Sequence, residues 1–290
     1  MPVHGDNIKT KLIHSTKYKD KVSKKFIEEI SLKYLKWKDL NLELKGPFKD
    51  KKKDDLDIVE KRVQLFNEYK DFIDQKKYAE KFDSRSNLHS SVLEEFLEYL
   101  FFDVVMSIDK EAIIGKSHTF KDIFFKGKNF KNIINNPTIS IEKKDHDFVI
   151  GVNVIADFKT KKSEGVTVEE KFDLPIVAIE CKTYLDKTML EGASTSGSQM
   201  KMRNPNALYL VCAEWLKLTD SINLNKIEVD QIYILRKQKN TDREFRYNDD
   251  YKKKPIYSDV VWKMFEKVRD HITVDWEKSI KEKLTHGVLK

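Results

Sequence analysis

LPIVAIECKTYLDK, residues Leu174 to Lys187, decides how the rest of the chain is read. Apolar or small residues run from Leu174 to Ile179, rich in Ile and Val and opened by Pro175. Glu180, Cys181 and Lys182 then interrupt them. A run of this composition predicts a buried central strand beginning near the proline. Alternation along a strand puts Glu180 and Lys182 on one face and Cys181 on the other. A carboxylate and an ammonium at the end of a buried strand each cost on the order of several kcal/mol to desolvate. They need a partner: an ion, a ligand or each other. Taken alone, E-x-K is a salt bridge at a strand end. The surrounding residues change that.

The 290 residues can bury a sizeable core in one large domain or two ordinary ones. Lys and Arg number 55 against 48 Asp and Glu, a net charge of +7. That excess permits nucleic-acid binding without establishing it, because Lys-rich solvated faces are common. Cys181 and Cys212 sit in apolar runs with no CxxC or zinc spacing, so they are expected to be reduced core thiols of a cytosolic protein. The first residues, MPVHGDNIKTKLIHS, lack a signal-peptide core. No apolar run approaches the roughly 18 residues of a membrane span. A soluble, cytoplasmic protein is expected.

Upstream of the decisive strand, residues 1–83 form an expected helical, charged region, a candidate recognition or interface element. Phe26, Ile30, Tyr34 and Leu35 recur at helical spacing after Val22. A turn at Gly46–Asp55 carries Lys51, Lys52 and Lys53, which could meet phosphate or solvent. A second helix follows, with Leu56, Val59, Val63, Phe66, Tyr69, Phe72 and Ile73 on one face. Residues 84–290 form the second expected unit. Its first helix carries Leu88, Val92, Leu93, Phe96, Leu97 and Leu100 inward and opens on a capping-box pattern, Ser91 and Glu94. Glu94 and Glu95 are adjacent, so at most one points at a polar site, and surface exposure is the default for both. Residues 106–140, with interleaved Lys and Phe, predict loops with short strands or helical turns.

Ile141–Thr160 and Gly165–Phe172 predict a hairpin through a turn at Lys161–Glu164. After the decisive strand, Leu185–Asn204 reads as a helix, Ala207–Ala213 as a second buried strand and Ile227–Gln238 as a third. A final helix carries Val260, Val261, Met264, Phe265 and Val268. Two buried strands flanking a helix imply a βαβ crossover. The predicted class is α/β: a mixed sheet flanked by helices, with a helical N-terminal region.

Phosphodiester hydrolysis needs oxygen ligands for a hard divalent cation and a group to handle the attacking water. Glu180 and Lys182 supply one carboxylate and one ammonium. KDHDFVIG offers a second carboxylate in Asp147, directly before the apolar run Phe148–Ile150. Asp145 stays open as an alternative, since a hairpin register is not readable from sequence. The Cys181 carbonyl could be a further oxygen ligand. GASTSG (Gly192–Gly197) lacks the central serine of a nucleophile elbow. No phosphate-cradling glycine loop occurs, which excludes a nucleotide-driven motor. His146 reads as a surface histidine.

Asp147, Glu180 and Lys182, after an acidic helix and before a helix–strand unit, resemble the PD-(D/E)xK nuclease superfamily. NLHSSVLEEFLEYLF, KDHDFVIG, and PIVAIECKTYLDKTMLEGAS followed by RNPNALYLVCAEW together resemble one subunit of the BbvCI-like heterodimeric type II restriction endonucleases. The resemblance spans roughly Ser84 to Leu218. His146 stands where the proline of the name-giving dipeptide would be. The resemblance implies a restriction-endonuclease-like core and a Mg2+-dependent deoxyribonuclease subunit. Asp147, Glu180 and the Cys181 carbonyl would be metal ligands, and Lys182 would orient or deprotonate water. Glu95 is a candidate for a more distant role around the metal, and Gln199 for a backbone phosphate contact. The implied partners are double-stranded DNA at a short asymmetric site and a second, non-identical subunit, each cutting one strand. The alternatives are a repair or recombination nuclease of the same superfamily and a non-catalytic DNA-binding subunit. Lys116–Lys131 and Lys237–Lys254 are the candidate base-reading segments.

Overall fold

The computed structural model describes residues 2–82, 87–135, 138–159, 168–241, 247–248, 251–276, 281 and 284–287. The elements run α1 (Val3–Ile13), α2 (Lys21–Glu43), α3 (Asp55–Ile73), α4 (Lys76–Lys81), α5 (Ser91–Ile108), β1 (Ile113–Lys126), α6 (Phe130–Asn135), β2 (Thr138–Phe158), β3 (Val168–Leu185), α7 (Lys187–Arg203), β4 (Leu208–Leu216), β5 (Gln231–Ile234) and α8 (Ser258–Thr273). The five strands lie in sequence order in one sheet. β1–β2 and β2–β3 are antiparallel, whereas β3–β4 and β4–β5 are parallel. The mixed sheet and the β3–α7–β4 unit follow the sequence expectation.

Alternation along the central strands builds two cores. Phe148, Ile150, Val177, Ile179, Cys181, Leu210 and Cys212 pack against α5, α8 and the N-terminal helices. Val149, Ala178, Tyr209, Val211 and Ala213 pack with Leu190, Ala193 and Met200 of α7. Each fully buried side chain of Val, Leu or Phe size contributes about 1.5–3 kcal/mol. The N-terminal helices share the first core rather than forming their own. Phe66 of α3 stacks on Phe96 of α5 at 4.3 Å between ring centroids, and Arg269 of α8 pairs with Asp55 of α3 at 2.5 Å. Arg62, itself buried, donates to the carbonyls of Asn41, Leu44 and Gly46 and so fixes the turn between α2 and α3.

Several expectations need correction. The α2 stripe is Ile27, Ile30, Tyr34 and Trp37, which leaves Val22 and Leu35 exposed. Residues 113–126 are one long strand, not loops with short elements. β1 shifts register twice against β2, and most of its side chains are only half-buried, so no clean alternation marks it. Pro175 lies inside β3 instead of opening it. The register slips between Ile150 and Gly151, and Gly151 pairs with Pro175 at that irregularity. A proline fits where the ladder is already broken. Gly151 is required there, because a Cβ would meet the Leu174 carbonyl oxygen at 2.3 Å. The expected third strand over Ile227–Gln238 shrinks to Gln231–Ile234. A 3-10 turn at Leu224–Lys226 precedes it, and a turn in which the Lys237 N–H donates to the Ile234 carbonyl at 3.2 Å follows it. The expected turn Lys161–Glu164 lies outside the described residues.

Candidate active site

β2 and β3 pair from Phe158 opposite Val168 up to Phe148 opposite Ile179, and there the ladder ends. On the other side of β2, Gly115 faces Val149 and Ser117 faces His146, so Asp147 and Phe148 together oppose the single residue Lys116. A bulge of this kind re-aims a side chain. Asp147 Oδ2 accepts the Cys181 backbone N–H at 2.9 Å, standing in for a strand partner, and Lys182 Nζ at 2.8 Å. Lys182 Nζ also donates to Glu180 Oε2 at 3.0 Å. Asp147, Glu180 and Lys182 therefore converge on one nitrogen. Asp145 does not join them: it contacts His118 across the exposed β1–β2 ribbon.

Glu180 is held from behind. Its Oε1 accepts the Tyr209 hydroxyl at 2.7 Å, and His146 Nδ1 lies 3.4 Å from the same oxygen. Tyr209 comes from β4 and meets the His146 ring edge-on at 5.7 Å. Beyond them Lys144 contacts Ser196 of α7. Burial pushes the Glu180 carboxyl up, but His146, Lys182 and Tyr209 outweigh it and hold the group well below the usual carboxylate range. Burial likewise opposes the Lys182 ammonium, and Asp147 and Glu180 outweigh that, raising its pKa. The Cys181 thiol is pushed well up by burial, which leaves it inert.

The group opens on a cleft of about 900 Å³, whose walls include Asp147, Cys181, Lys182, Glu94 and Lys116. Glu94 is a residue that sequence reasoning placed wrongly. Both it and Glu95 are buried, against the default of exposure. No side-chain cap forms at the start of α5, so the capping box is absent: Ser91 Oγ donates to the Asn87 carbonyl, and Glu94 is freed to face the cleft. Burial first, and then the charge of Asp147, raise the Glu94 carboxyl, while Lys116 at 3.5 Å opposes them.

Glu95 points elsewhere. Its carboxylate accepts the backbone N–H groups of His4 and Gly5 and the hydroxyls of Tyr34 and Tyr99, which corrects its assignment to the surroundings of a metal. Gln199 is half-buried on α7 and does not line the cleft. His146 is buried, not a surface residue. Tyr209 carried one faint signal, a polar tip inside the apolar run Ala207–Ala213. In the segment Lys237–Lys254, part of which lies outside the described residues, Lys237 is engaged by Asp259 and Lys253 by Asp71 and Asp74.

Among the described residues no three or more His, Cys, Asp or Glu side chains close into a ready metal cage. A magnesium ion does not need one: it keeps several waters and takes one or two carboxylates. Two hard carboxylates meeting at a single cation, with Glu94 nearby, suit such an ion in number and kind.

The family profile described as Bpu10I restriction endonuclease matches residues 85–289. The chain belongs to the Bpu10I restriction endonuclease family. A comparison with curated protein sequences finds no match. Among solved structures, a chain of the structure titled "native BbvCI A2B2 tetramer at low resolution" superposes with a TM-score of 0.69 at 18% identity, over 93% of this chain and 97% of that one. At that identity the likeness speaks for the fold: five strands, flanking helices and the N-terminal helices together. As a Bpu10I-family chain, the protein is a restriction endonuclease subunit whose Asp147, Glu180 and Lys182 all fall inside the matched region. No helix among the described residues is long and apolar enough to cross a membrane.

Proposed function

We propose that this subunit is itself catalytic and hydrolyses one strand of double-stranded DNA with the help of Mg2+. The observation that carries the reading is the convergence of Asp147 and Glu180 on Lys182 at the mouth of an open cleft. Asp147 and Glu180 would hold the ion, with the Cys181 carbonyl as a further oxygen. When bound, a divalent cation supplies Lewis-acid stabilisation of the charge that builds on the scissile phosphate. Lys182 orients the attacking water, and it would take the water's proton only where a divalent cation beside it pushes the ammonium towards its neutral form. Tyr209 and His146 keep Glu180 aimed. The net charge of +7 favours a polyanionic substrate, and binding should weaken with salt.

The solved structure matched above is described as an A2B2 tetramer. By analogy this chain pairs with a non-identical subunit, reads an asymmetric site and makes one of the two cuts. Residues 1–83 are proposed to serve recognition or the interface. The test is incubation of supercoiled plasmid with Mg2+, with and without a second family chain. The expected product is nicked circle from this subunit, abolished by Glu180→Ala and strongly reduced by Lys182→Ala. Near-normal cleavage by Lys182→Ala alongside a dead Glu180→Ala would remove Lys182 from the water-handling role. Absence of nicking under every condition, with DNA binding insensitive to EDTA, would make the chain a non-catalytic DNA-binding subunit.

A further inference from the structure

The helix α1 splits sharply along its length. His4, Gly5 and Ile8 are buried, while Val3, Asp6 and Asn7, spaced i, i+3 and i+4, line the same cleft as Asp147 and Lys182. The buried side is fastened with unusual thoroughness for an 11-residue helix. The fully buried Glu95 carboxylate takes the N–H groups of His4 and Gly5 at 2.9 and 3.0 Å, where the helix dipole also favours a negative charge. The His4 ring bonds Ser91 Oγ at 2.9 Å and Tyr69 OH at 2.6 Å. Gly5 lies so close to Tyr34 that a Cβ would meet its hydroxyl oxygen at 2.2 Å. An unpaired carboxylate at Glu95 would be costly to bury, so α1 and α5 are obligatory partners.

The two adjacent glutamates of α5 therefore do linked jobs. Glu94 faces the cleft and Glu95 fixes the neighbouring helix, α1, which also lines it. Asp6 is next to Lys9 at 3.5 Å, which offsets its charge. Asn7, half-buried, presents an amide that can donate to a phosphate oxygen and accept from a base or sugar. A DNA strand whose phosphate reaches Lys182 has to lie in this cleft, which α1 also lines. We infer that α1 is a DNA-binding wall of the cleft, with Asn7 contacting the strand beside the cleavage position. The inference rests on the nuclease reading above. α1 lies outside residues 85–289 and so outside the family match.

The test attaches a photoactivatable aryl azide to the full chain at Asn7→Cys and, as control, at Lys9→Cys on the exposed outer side of α1. The native Cys181 and Cys212 are buried, and the unmutated chain reports their background. After irradiation with a mixed-sequence DNA duplex, position 7 should give about tenfold more DNA adduct than position 9. Asn7→Ala should lower plasmid nicking by about tenfold, equivalent to about 1.4 kcal/mol, with the half-saturating Mg2+ concentration unchanged. Equal adduct yields from the two positions, or wild-type nicking by Asn7→Ala, would overturn the inference and leave the catalytic assignment standing. Strong adduct at position 7 from a chain that never nicks would keep the wall and sink the catalytic assignment instead.

Discussion

Two lysine–glutamate pairs sit at the same end of the sheet, on opposite faces. Lys182 meets Glu180 at 3.0 Å, with side chains 28% and 13% exposed, and Lys70 meets Glu214 at 2.9 Å, with both 1% exposed. Glu180 lies in the C-terminal third of β3 and Glu214 near the C-terminal end of β4. By distance alone they are the same interaction. What differs is the company. Glu214 is held between two cations, Lys70 and Arg236, with Asp74 beside Lys70, so the cluster is internally balanced, and the cavity it borders is small, about 220 Å³. Lys182 bridges two carboxylates at a cleft mouth, with a third, Glu94, in the wall. The balanced pair is architecture that joins α3 to the sheet, and the open pair, with carboxylates in excess beside a cleft of about 900 Å³, is the candidate site.

The sharpest way to break that contrast is to remove the glutamate of each pair. Glu180→Ala should reduce cleavage by about a thousandfold or more, measured by plasmid nicking, while the denaturant midpoint moves little. Glu214→Ala should do the reverse, costing about 3–5 kcal/mol of stability because Lys70 and Arg236 lose their buried counter-charge. If both variants lost stability alike, the open pair would be structural too.

An intermediate effect concerns the support behind Glu180. Tyr209→Phe removes the 2.7 Å hydrogen bond to Oε1 and should weaken Mg2+ affinity about 10–100-fold, read from the metal dependence of cleavage and from direct calorimetric titration. The pH dependence of stability tests the balanced side. Burial pushes the Glu214 carboxyl up, yet Lys70 and Arg236 outweigh it and hold the group below its ordinary 4.5. The unfolded chain then binds more protons than the native one as pH drops below 4.5, so stability is present above that value and lost as pH falls towards the folded pKa. Glu214→Gln should flatten this acid limb in urea titrations at stepped pH. The smallest effect is expected at Gln199. Gln199→Ala, away from the cleft, should change the nicking rate less than about twofold.

The decisive strand, its helix and the next strand were legible because apolar runs of strand length and an amphipathic helix write strong local signals. Asp147 was legible as a carboxylate entering an apolar run, but its choice over Asp145 came from a bulge opposite Lys116, which is a property of pairing between strands. Glu94 and Glu95 show the limit most clearly. Two identical neighbours on one helix point to different places, and only the docking of α1 onto Glu95 decides which does what. Tyr209 and His146 were hidden for the same reason: each meets Glu180 across more than 25 residues of sequence.

In the proposed function, Glu180 and Lys182 are more than a salt bridge. The double variant Glu180→Lys with Lys182→Glu keeps one charge of each sign on the same face of β3 but exchanges their places. Its Mg2+-dependent nicking of supercoiled plasmid, measured beside the wild-type subunit, is the most direct test. The predicted result is efficient nicking by the wild type and none by the exchanged chain, although that chain folds. Nicking by the exchanged chain at the wild-type rate would contradict the assignment of both residues.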